Sequence, residues 1–378
     1  MRDKNYRFPW RENNRFTLLV DGEQFYPAML EAIRSARSQV LLEMYLVTSG
    51  RVMEQFVSAL CEAATRAKVY LLLDDFGAHG LTADARLRLA KHGVQLAVYN
   101  PLRYRALRRN LLRDHRKLLM VDDRIAFLGG MGISDQFWLL GDAAHSWHEV
   151  AIQVEGGCVA DWRKVFAEVW RRSTRTELDC DVASPVNIGH QFGRATVGQG
   201  PHLAEMQRSL VTRIRRAERR VWLATAYFVP SRKIRRCLRR AAGRGVDVRL
   251  LLPGPHTDHP AIRHAGRRFY LGLLRHGVRI FEYQPRFLHA KMVLCDDWVS
   301  LGSCNIDRWN LRWNLEANQE VEDVEFAAVV ARQFEEDFRQ SLEIRFDLWR
   351  LRSWRRRLKE RFWGAVDRWL ERHSRRRR

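Results

Sequence analysis

The sequence predicts an α/β protein made of two duplicated halves, each a mainly parallel mixed sheet flanked by helices, packed with pseudo-twofold symmetry around one active site. Three observations lead there. Four phrases of the first half recur in the same order in the second. Short apolar runs alternate with amphipathic helical patterns in both. A histidine and a lysine two residues apart open an apolar run at the same place in each copy.

The recurrence is read directly. RSQVLLEMYLV (37–47) corresponds to RRVWLATAYFV (219–229), and AKVYLLLDD (67–75) to VDVRLLLPG (246–254). KHGVQLAVYNP (91–101) returns as RHGVRIFEYQP (275–285), and DHRKLLMVDD (114–123) as LHAKMVLCDD (288–297). These β-branched and leucine-rich runs predict strands. AMLEAIRSAR (28–37) and FVSALCEAATRA (56–67) repeat apolar residues at helical spacing and predict covering helices. The polar, Gly/Pro-punctuated stretch 173–201 predicts a linker. The expected organisation is a first half over 1–180, a second over 181–345 and a third piece, 346–378, without a counterpart.

Composition narrows the partners. The 378 residues are 46% hydrophobic, enough for a sizeable core, and carry a formal net charge of +22. Such an excess predicts a polyanion, either nucleic acid or an anionic membrane surface, which charge alone does not separate. The six cysteines (61, 158, 180, 237, 295, 304) are scattered without a CxxC pair and predict reduced thiols in a cytosolic protein. The opening MRDKNYRFPWRENNRF has no apolar run of the secretory kind. The nearest approach to a spanning segment, IAFLGGMGISDQFWLLG, is glycine-rich and broken by Asp135, so no membrane crossing is expected.

The chemistry is concentrated in H-x-K-x4-D, which occurs once per half: His115, Lys117 and Asp122, then His289, Lys291 and Asp296. On a strand, residues i and i+2 share a face, so each histidine and lysine point into one space. A cation buried beside an imidazole needs an anionic partner, and a phosphate supplies one. Imidazole, with a pKa near ~6.5, is a competent nucleophile at neutral pH. A second imidazole can protonate a departing alkoxide and then activate the incoming hydroxyl. Two lysines and an amide can stabilise the charge that builds on phosphoryl oxygens. Glu149 in SWHEVAI and Glu316 in WNLEANQ occupy corresponding positions and are the candidates to orient the rings. Glycine turns follow both motifs, as Gly129-Gly130 and as Gly302-Ser303, the latter leading to Asn305.

Other chemistries fit less well. His256, His259 and His264 form H-x2-H-x4-H, but no cysteine or carboxylate completes a metal set and the motif lysines repel a cation. That loop is expected to line the substrate entrance, and no metal or cofactor is expected. GxxxxGK[ST] is absent, and exchange of one phosphodiester for another needs no ATP.

The paired motif resembles the signature of the phospholipase D superfamily. The phrases NRFTLLVDGEQFYPAMLEAI, ATAYFVPSRKIRR, TDHPAIRHAGRRFY and GSCNIDRWNLRWNLEANQEV resemble bacterial cardiolipin synthases of the B type, which lack N-terminal membrane spans. The resemblance implies two phospholipase D-like halves, with His115 as nucleophile and His289 as acid and base. Lys117, Lys291 and Asn305 would bind the phosphoryl group with Ser303 nearby. Asp122 and Asp296 would be mostly structural supports. Two departures stand out: Gly132 where the family has asparagine in the first half, and a spacer from Asp296 to Gly302 one residue shorter than its counterpart.

The tail from Asp347 places Leu351, Trp354, Leu358, Phe362, Ala365 and Trp369 on a helical stripe among arginines, the pattern of a helix in a lipid interface. Docking of that stripe on the protein's own core and binding of RNA are its alternatives. The expected activity is condensation of two phosphatidylglycerols into cardiolipin and glycerol through a phosphohistidine, at the cytoplasmic face of the membrane. Phospholipid hydrolysis, metal-independent nuclease action and membrane binding without catalysis are the competing readings.

Overall fold

The computed structural model describes residues 6–104, 110–139, 146–180, 188–198, 205–306 and 314–353, with Leu358, Glu360, Phe362, Trp363 and Ala365. The first half contributes β1 (Arg11–Val20), β2 (Gln39–Met44), β3 (Lys68–Asp74), β4 (Gln95–Tyr99), β5 (Lys117–Val121), β6 (Ile125–Gly129), β7 (Trp147–His148) and β8 (Val150–Glu155). The second contributes β9 (Gln191–Gly198), β10 (Arg220–Ala224), β11 (Asp247–Pro253), β12 (Arg279–Tyr283), β13 (Phe287–Leu288), β14 (Met292–Cys295), β15 (Trp298–Gly302), β16 (Glu316–Glu322) and β17 (Ser341–Glu343).

Among the described residues all but β7 and β13 join one sheet, whose order is β17-β12-β11-β10-β14-β15-β16-β9-β1-β8-β6-β5-β2-β3-β4. Read outward from the β1–β9 junction, the two arms repeat one plan. The duplication therefore appears as a two-fold arrangement within a continuous sheet.

The expectation of mainly parallel halves needs correction. Within the large sheet, parallel ladders are confined to β2–β3–β4 and β10–β11–β12, the strands joined by helical crossovers. The inner strands are antiparallel because hairpins connect them, as in β5–β6 and β14–β15. The linker expected over 173–201 also needs correction, since Gln191–Gly198 is a central strand. Its own sequence is weakly patterned, but it pairs with β1 on one side and β16 on the other, and Ala195 and Val197 are fully buried. Tertiary pairing, rather than propensity, makes it a strand.

Helices Cys158–Thr174 and Val324–Arg339 place Trp162, Phe166, Phe334 and Phe338 in one apolar cluster with Phe16, Val154 and Val299, so both halves share a core. The expected helices are present at Asp21–Arg34 and Arg51–Ala63. The second buries Val52, Met53, Phe56, Val57 and Leu60, the helical stripe anticipated from spacing. None of the described cysteines is paired, and no described helix is long and apolar enough to cross a membrane. Most of the tail lies outside the described residues. Its start, the short helix Phe346–Arg350, docks Trp349 on Tyr270 with ring centroids 5.0 Å apart, whereas Leu351 is exposed.

Candidate active site

β5 runs antiparallel to β2, with Lys117 opposite Met44, so its first residues lie at the sheet edge where the parallel strands end. β14 begins at the same edge of its own half, Met292 facing Ala224. Each motif histidine is then tied to the other half by a short parallel contact. His115 N donates to Leu315 O (3.0 Å), and Leu315 N to Arg113 O (2.9 Å). Across the two-fold, β7 pairs with β13, and His289 N donates to His148 O (2.8 Å).

These contacts cross the glutamates over. His115 Nδ1 lies 3.1 Å from Glu316 Oε1 and 3.2 Å from Oε2, while His289 Nδ1 lies 2.5 Å from Glu149 Oε2. Each ring is oriented by the carboxylate of the opposite half. An Nδ1–H held by a carboxylate leaves Nε2 with its lone pair free. Lys117 Nζ donates to His115 O (2.6 Å), and Lys291 Nζ lies 3.3 Å from Glu149 Oε2. Gly130 closes the same space: a Cβ there would lie 2.1 Å from Glu149 Oε2 and 2.8 Å from Lys291 Nζ. Glycine at this position is required by the site itself.

The electrostatics follow from burial. Desolvation, then repulsion by Lys117 and Lys291, holds the His115 imidazole well below its ordinary pKa, and desolvation with the same lysines does so for His289. Burial pushes Lys117 down to about 7 and Lys291 also downward, while it raises Glu149 to about 7 and Glu316 to about 8. An anion between the lysines would reverse their share of these shifts.

Ser303 Oγ donates to Glu316 and accepts from Ala317 N (3.0 Å), so it braces the carboxylate of His115. Asn305 is fully buried; its Oδ1 accepts from Thr225 Oγ1 (3.4 Å) and its Nδ2 has no partner among the described residues. A buried donor left unpaired costs roughly 1–3 kcal/mol, a cost that a ligand oxygen could remove.

Asp122 and Asp296 lie at the far ends of β5 and β14, away from the histidines. Asp122 accepts from Arg37 N, Ser38 N, Ser38 Oγ and Gln39 N at 2.8–2.9 Å; Asp296 accepts from Glu218 N, Arg219 N and Arg220 N at 2.9–3.0 Å. Both adopt positive φ, 54° and 53°, a region that aspartate tolerates. The one-residue spacer difference falls at these turns: residues 122–124 join β5 to β6, but only Asp296 and Asp297 join β14 to β15.

Gly132 departs in kind. A Cβ there would lie 2.8 Å from Leu46 Cβ and 2.9 Å from Leu46 O. By strand register Thr225, the neighbour of Asn305, corresponds to Met44: Met44 pairs with Lys117, and Ala224, which pairs with Met292, directly precedes the place beside Lys291. The first half thus has glycine and methionine where the second has the amide and hydroxyl.

Sequence reasoning missed the support behind Glu149. His148 is buried with Nδ1 2.9 Å from Asp21 Oδ1 and Nε2 3.1 Å from Asp337 Oδ1. Asp21 also accepts from Glu149 N (3.0 Å) and from Arg286. Burial disfavours charge on this ring, but the two carboxylates prevail and raise its pKa well above the ordinary value. The only signal was its adjacency to Glu149. The His256–His264 loop is linked toward the site through Tyr227, whose Oη donates to Asp258 (2.5 Å) and whose ring stands 6.5 Å from that of Phe287. Among the described residues no group of His, Cys, Asp and Glu is placed to hold a metal ion.

Comparison with known proteins agrees with this geometry. The family model described as "Cardiolipin synthase, PLD-like domain" matches residues 29–170 and 210–338. Cardiolipin synthase A of Pseudomonas putida (strain W619) is 35% identical over 348 residues, covering 89% of this chain and 71% of its own. Cardiolipin synthase A of Pseudomonas aeruginosa (strain LESB58) is 34% identical over 342 residues, covering 89% and 69%. These relatives carry the A designation, whereas the phrases read above resemble the B type. The phosphatidylserine synthase of Haemophilus influenzae superposes with a TM-score of 0.70 at 13% identity, over 97% of this chain and 95% of its own, and shows the shared fold. With the family model spanning both copies and relatives matching along most of the chain, this protein belongs to the cardiolipin synthase family with phospholipase D-like domains.

Proposed function

We propose that the protein is a phosphatidyltransferase that condenses two phosphatidylglycerol molecules into cardiolipin and glycerol. The observation that carries the reading is the crossed pairing of His115 with Glu316 and of His289 with Glu149, with a lysine beside each ring. Family membership and the names of its relatives point the same way.

His115 Nε2 attacks the phosphorus of the first lipid, forming the N–P bond as the glycerol oxygen departs. His289 supplies the proton to that alkoxide. Burial and the two lysines hold both rings neutral, but a phosphodiester between Lys117 and Lys291 cancels the repulsion and lets His289 take its second proton. His289, now neutral, removes the proton from the hydroxyl of the second lipid. That oxygen attacks the phosphohistidine, and the N–P bond breaks to restore His115. The lysines and the free Nδ2 of Asn305 are the donors for the phosphoryl oxygens. Attack by a lipid hydroxyl rather than water makes the enzyme a transferase. The site needs no metal for these steps, and the net charge of +22 supports a peripheral position at the cytoplasmic face of an anionic membrane.

Phosphatidylglycerol vesicles incubated with the protein are expected to yield cardiolipin and free glycerol in equal amounts. Phosphatidic acid as the only product would instead identify a hydrolase, and metal-independent cutting of plasmid DNA lost in His115→Ala would identify a nuclease.

A further inference from the structure

We propose that a cavity in the second half, bounded by Asn305, is the subsite that receives the glycerol headgroup of the lipid. The inference rests on the phosphatidylglycerol reading above and names the residues that select this headgroup. The cavity lies between the sheet and the helices Glu205–Arg216 and Arg232–Gly243. Met206, Leu210 and Ile234 form its apolar roof, and Thr196, Ser300, Asn318 and Glu320 form a polar floor. Strand β16 presents Glu316, Asn318 and Glu320 on one face. The floor therefore begins one strand repeat, roughly 6.6 Å, beyond the carboxylate that orients His115.

The duplication shows that the fold itself does not require this hollow. Ser300 pairs with Glu320 as Phe127 pairs with Gln153, and Gly302 pairs with Asn318 as Gly129 does with Ala151. Asn318 in turn pairs with Thr196 as Ala151 does with Leu19. In the first half Phe127, Ala151 and Leu19 pack in the apolar core. The second half has serine, asparagine and threonine at those places, with a cavity above them. Polar groups at core positions cost stability unless something uses them.

The unpaired groups of the cavity identify its ligand. Asn305 is fully buried and Trp298, which also lines the cavity, is 2% exposed. Nδ2 of the one and Nε1 of the other have no partner among the described residues. Both are donors, so the ligand must bring acceptor oxygens. An ammonium headgroup brings only donors, and the carboxylate of the floor, Glu320, is already paired with Arg194 (2.5 Å). Hydroxyl groups both accept and donate, and so suit the two N–H groups and the Ser300 hydroxyl alike. The Asn305 amide carries two hydrogens, one for a phosphoryl oxygen and one for the headgroup. Size agrees as well. The cavity measures about 40 Å³. Roughly 10–15 Å³ of such space admits one water, so it has room for about three waters or one glycerol, and none for an acyl chain.

The test uses the full chain and three soluble probes, inorganic phosphate, glycerol 1-phosphate and phosphoethanolamine, with binding followed by calorimetry. Wild type is expected to bind glycerol 1-phosphate about tenfold more tightly than phosphoethanolamine. Ser300→Leu, which fills the cavity as the first half is filled, should lower glycerol 1-phosphate affinity about tenfold and leave inorganic phosphate within about twofold. Trp298→Phe keeps most of the ring and removes the N–H; a loss of roughly threefold, again confined to glycerol 1-phosphate, is expected. This variant carries the test if Ser300→Leu does not fold. Equal affinity of wild type for the two esters, no binding of either, or unchanged glycerol 1-phosphate affinity in a folded variant would show that the cavity holds structural water only and overturn the subsite. Cardiolipin formation by wild type in that case would leave the proposed activity standing. Selective glycerol 1-phosphate binding without cardiolipin formation would keep the subsite and remove the activity.

Discussion

Glu149 Oε2 lies 2.5 Å from Nδ1 of His289, a pair drawn from opposite halves of the chain, and Glu316 Oε1 lies 3.1 Å from Nδ1 of His115. Neither half can therefore hold its own histidine in a reactive pose. Glu149→Gln and Glu316→Gln are expected to lower kcat by on the order of 10²–10⁴-fold, as loss of a tautomer-fixing carboxylate does, with KM changed only a few-fold. Steady-state kinetics on mixed micelles measure both. A change confined to KM would show that these carboxylates bind substrate and do not orient the rings.

Lysine protonation sets the alkaline limit. Burial lowers Lys117 to about 7, and its useful form is the cation, which is present below that pKa and lost above it. kcat/KM, which reports the free enzyme, is expected to fall as pH rises through about 7. The limb in kcat should lie at higher pH, because bound phosphodiester favours the cation. On the acid side the depressed His115 stays neutral, so the limb there is expected from Glu149 and Glu316, raised by burial to about 7 and about 8, which lose their carboxylate form as pH falls. Coincident alkaline limbs in the two profiles would contradict the assignment.

The motif aspartates are expected to behave differently from the histidines. Burial raises the Asp122 pKa, but the N–H donors of residues 37–39 and the Ser38 hydroxyl outweigh it, for a net depression. Its contribution to stability is present above the unfolded carboxyl pKa and lost as pH falls through the folded one. Asp122→Asn keeps a residue that tolerates φ of 54° but weakens charge-assisted hydrogen bonds. A lowered Tm with near-normal kcat is expected, whereas His115→Ala should keep Tm and lose turnover. Calorimetry paired with a product assay separates the two classes.

His148 is expected to act at one remove. Both its ring nitrogens face carboxylates, Asp21 and Asp337, and its backbone carbonyl receives His289 N. His148→Gln should reduce kcat roughly 10–100-fold by loosening Glu149 and should lower the pH at which the protein best resists heat, since two buried carboxylates would lose their cation. Wild-type kcat in this variant would limit His148 to a structural role.

The legible part of this protein was what duplication repeats. His115, Lys117, His289, Lys291 and both glutamates could be named because each occurs twice in register, and the structure brings them to one edge. Strand Gln191–Gly198 was not legible, because it owes its existence to partners on both sides rather than to its own residues. Parallel pairing was overestimated because strand–helix alternation describes only the outer strands. The crossing of the glutamates was hidden as well: spacing along the chain cannot tell which half a carboxylate will serve. Asp21, Arg286 and Asp337 escaped notice as isolated charges far apart in sequence; His148 joins the two aspartates, and Arg286 meets Asp21 directly.

Gly132 adds a prediction that opposes intuition. Gly132→Asn, which installs the asparagine that the sequence resemblance implies at this place, puts a Cβ within 2.8 Å of Leu46 Cβ and 2.9 Å of its carbonyl oxygen. Lower Tm and no gain in kcat are expected, because Met44, which stands in the place of the threonine that supports Asn305 in the other half, has no hydroxyl to hold the amide. Increased turnover at unchanged Tm would show that the pocket accepts the amide.

The most direct test of the two-step transfer is the stereochemical course at phosphorus, followed with phosphatidylglycerol made chiral at that atom and analysed as cardiolipin. Displacement by His115 and then by the second lipid inverts the centre twice, so net retention is the predicted result. Net inversion would mean that the acceptor hydroxyl attacks the lipid phosphorus directly, with no phosphatidyl group ever carried on a histidine.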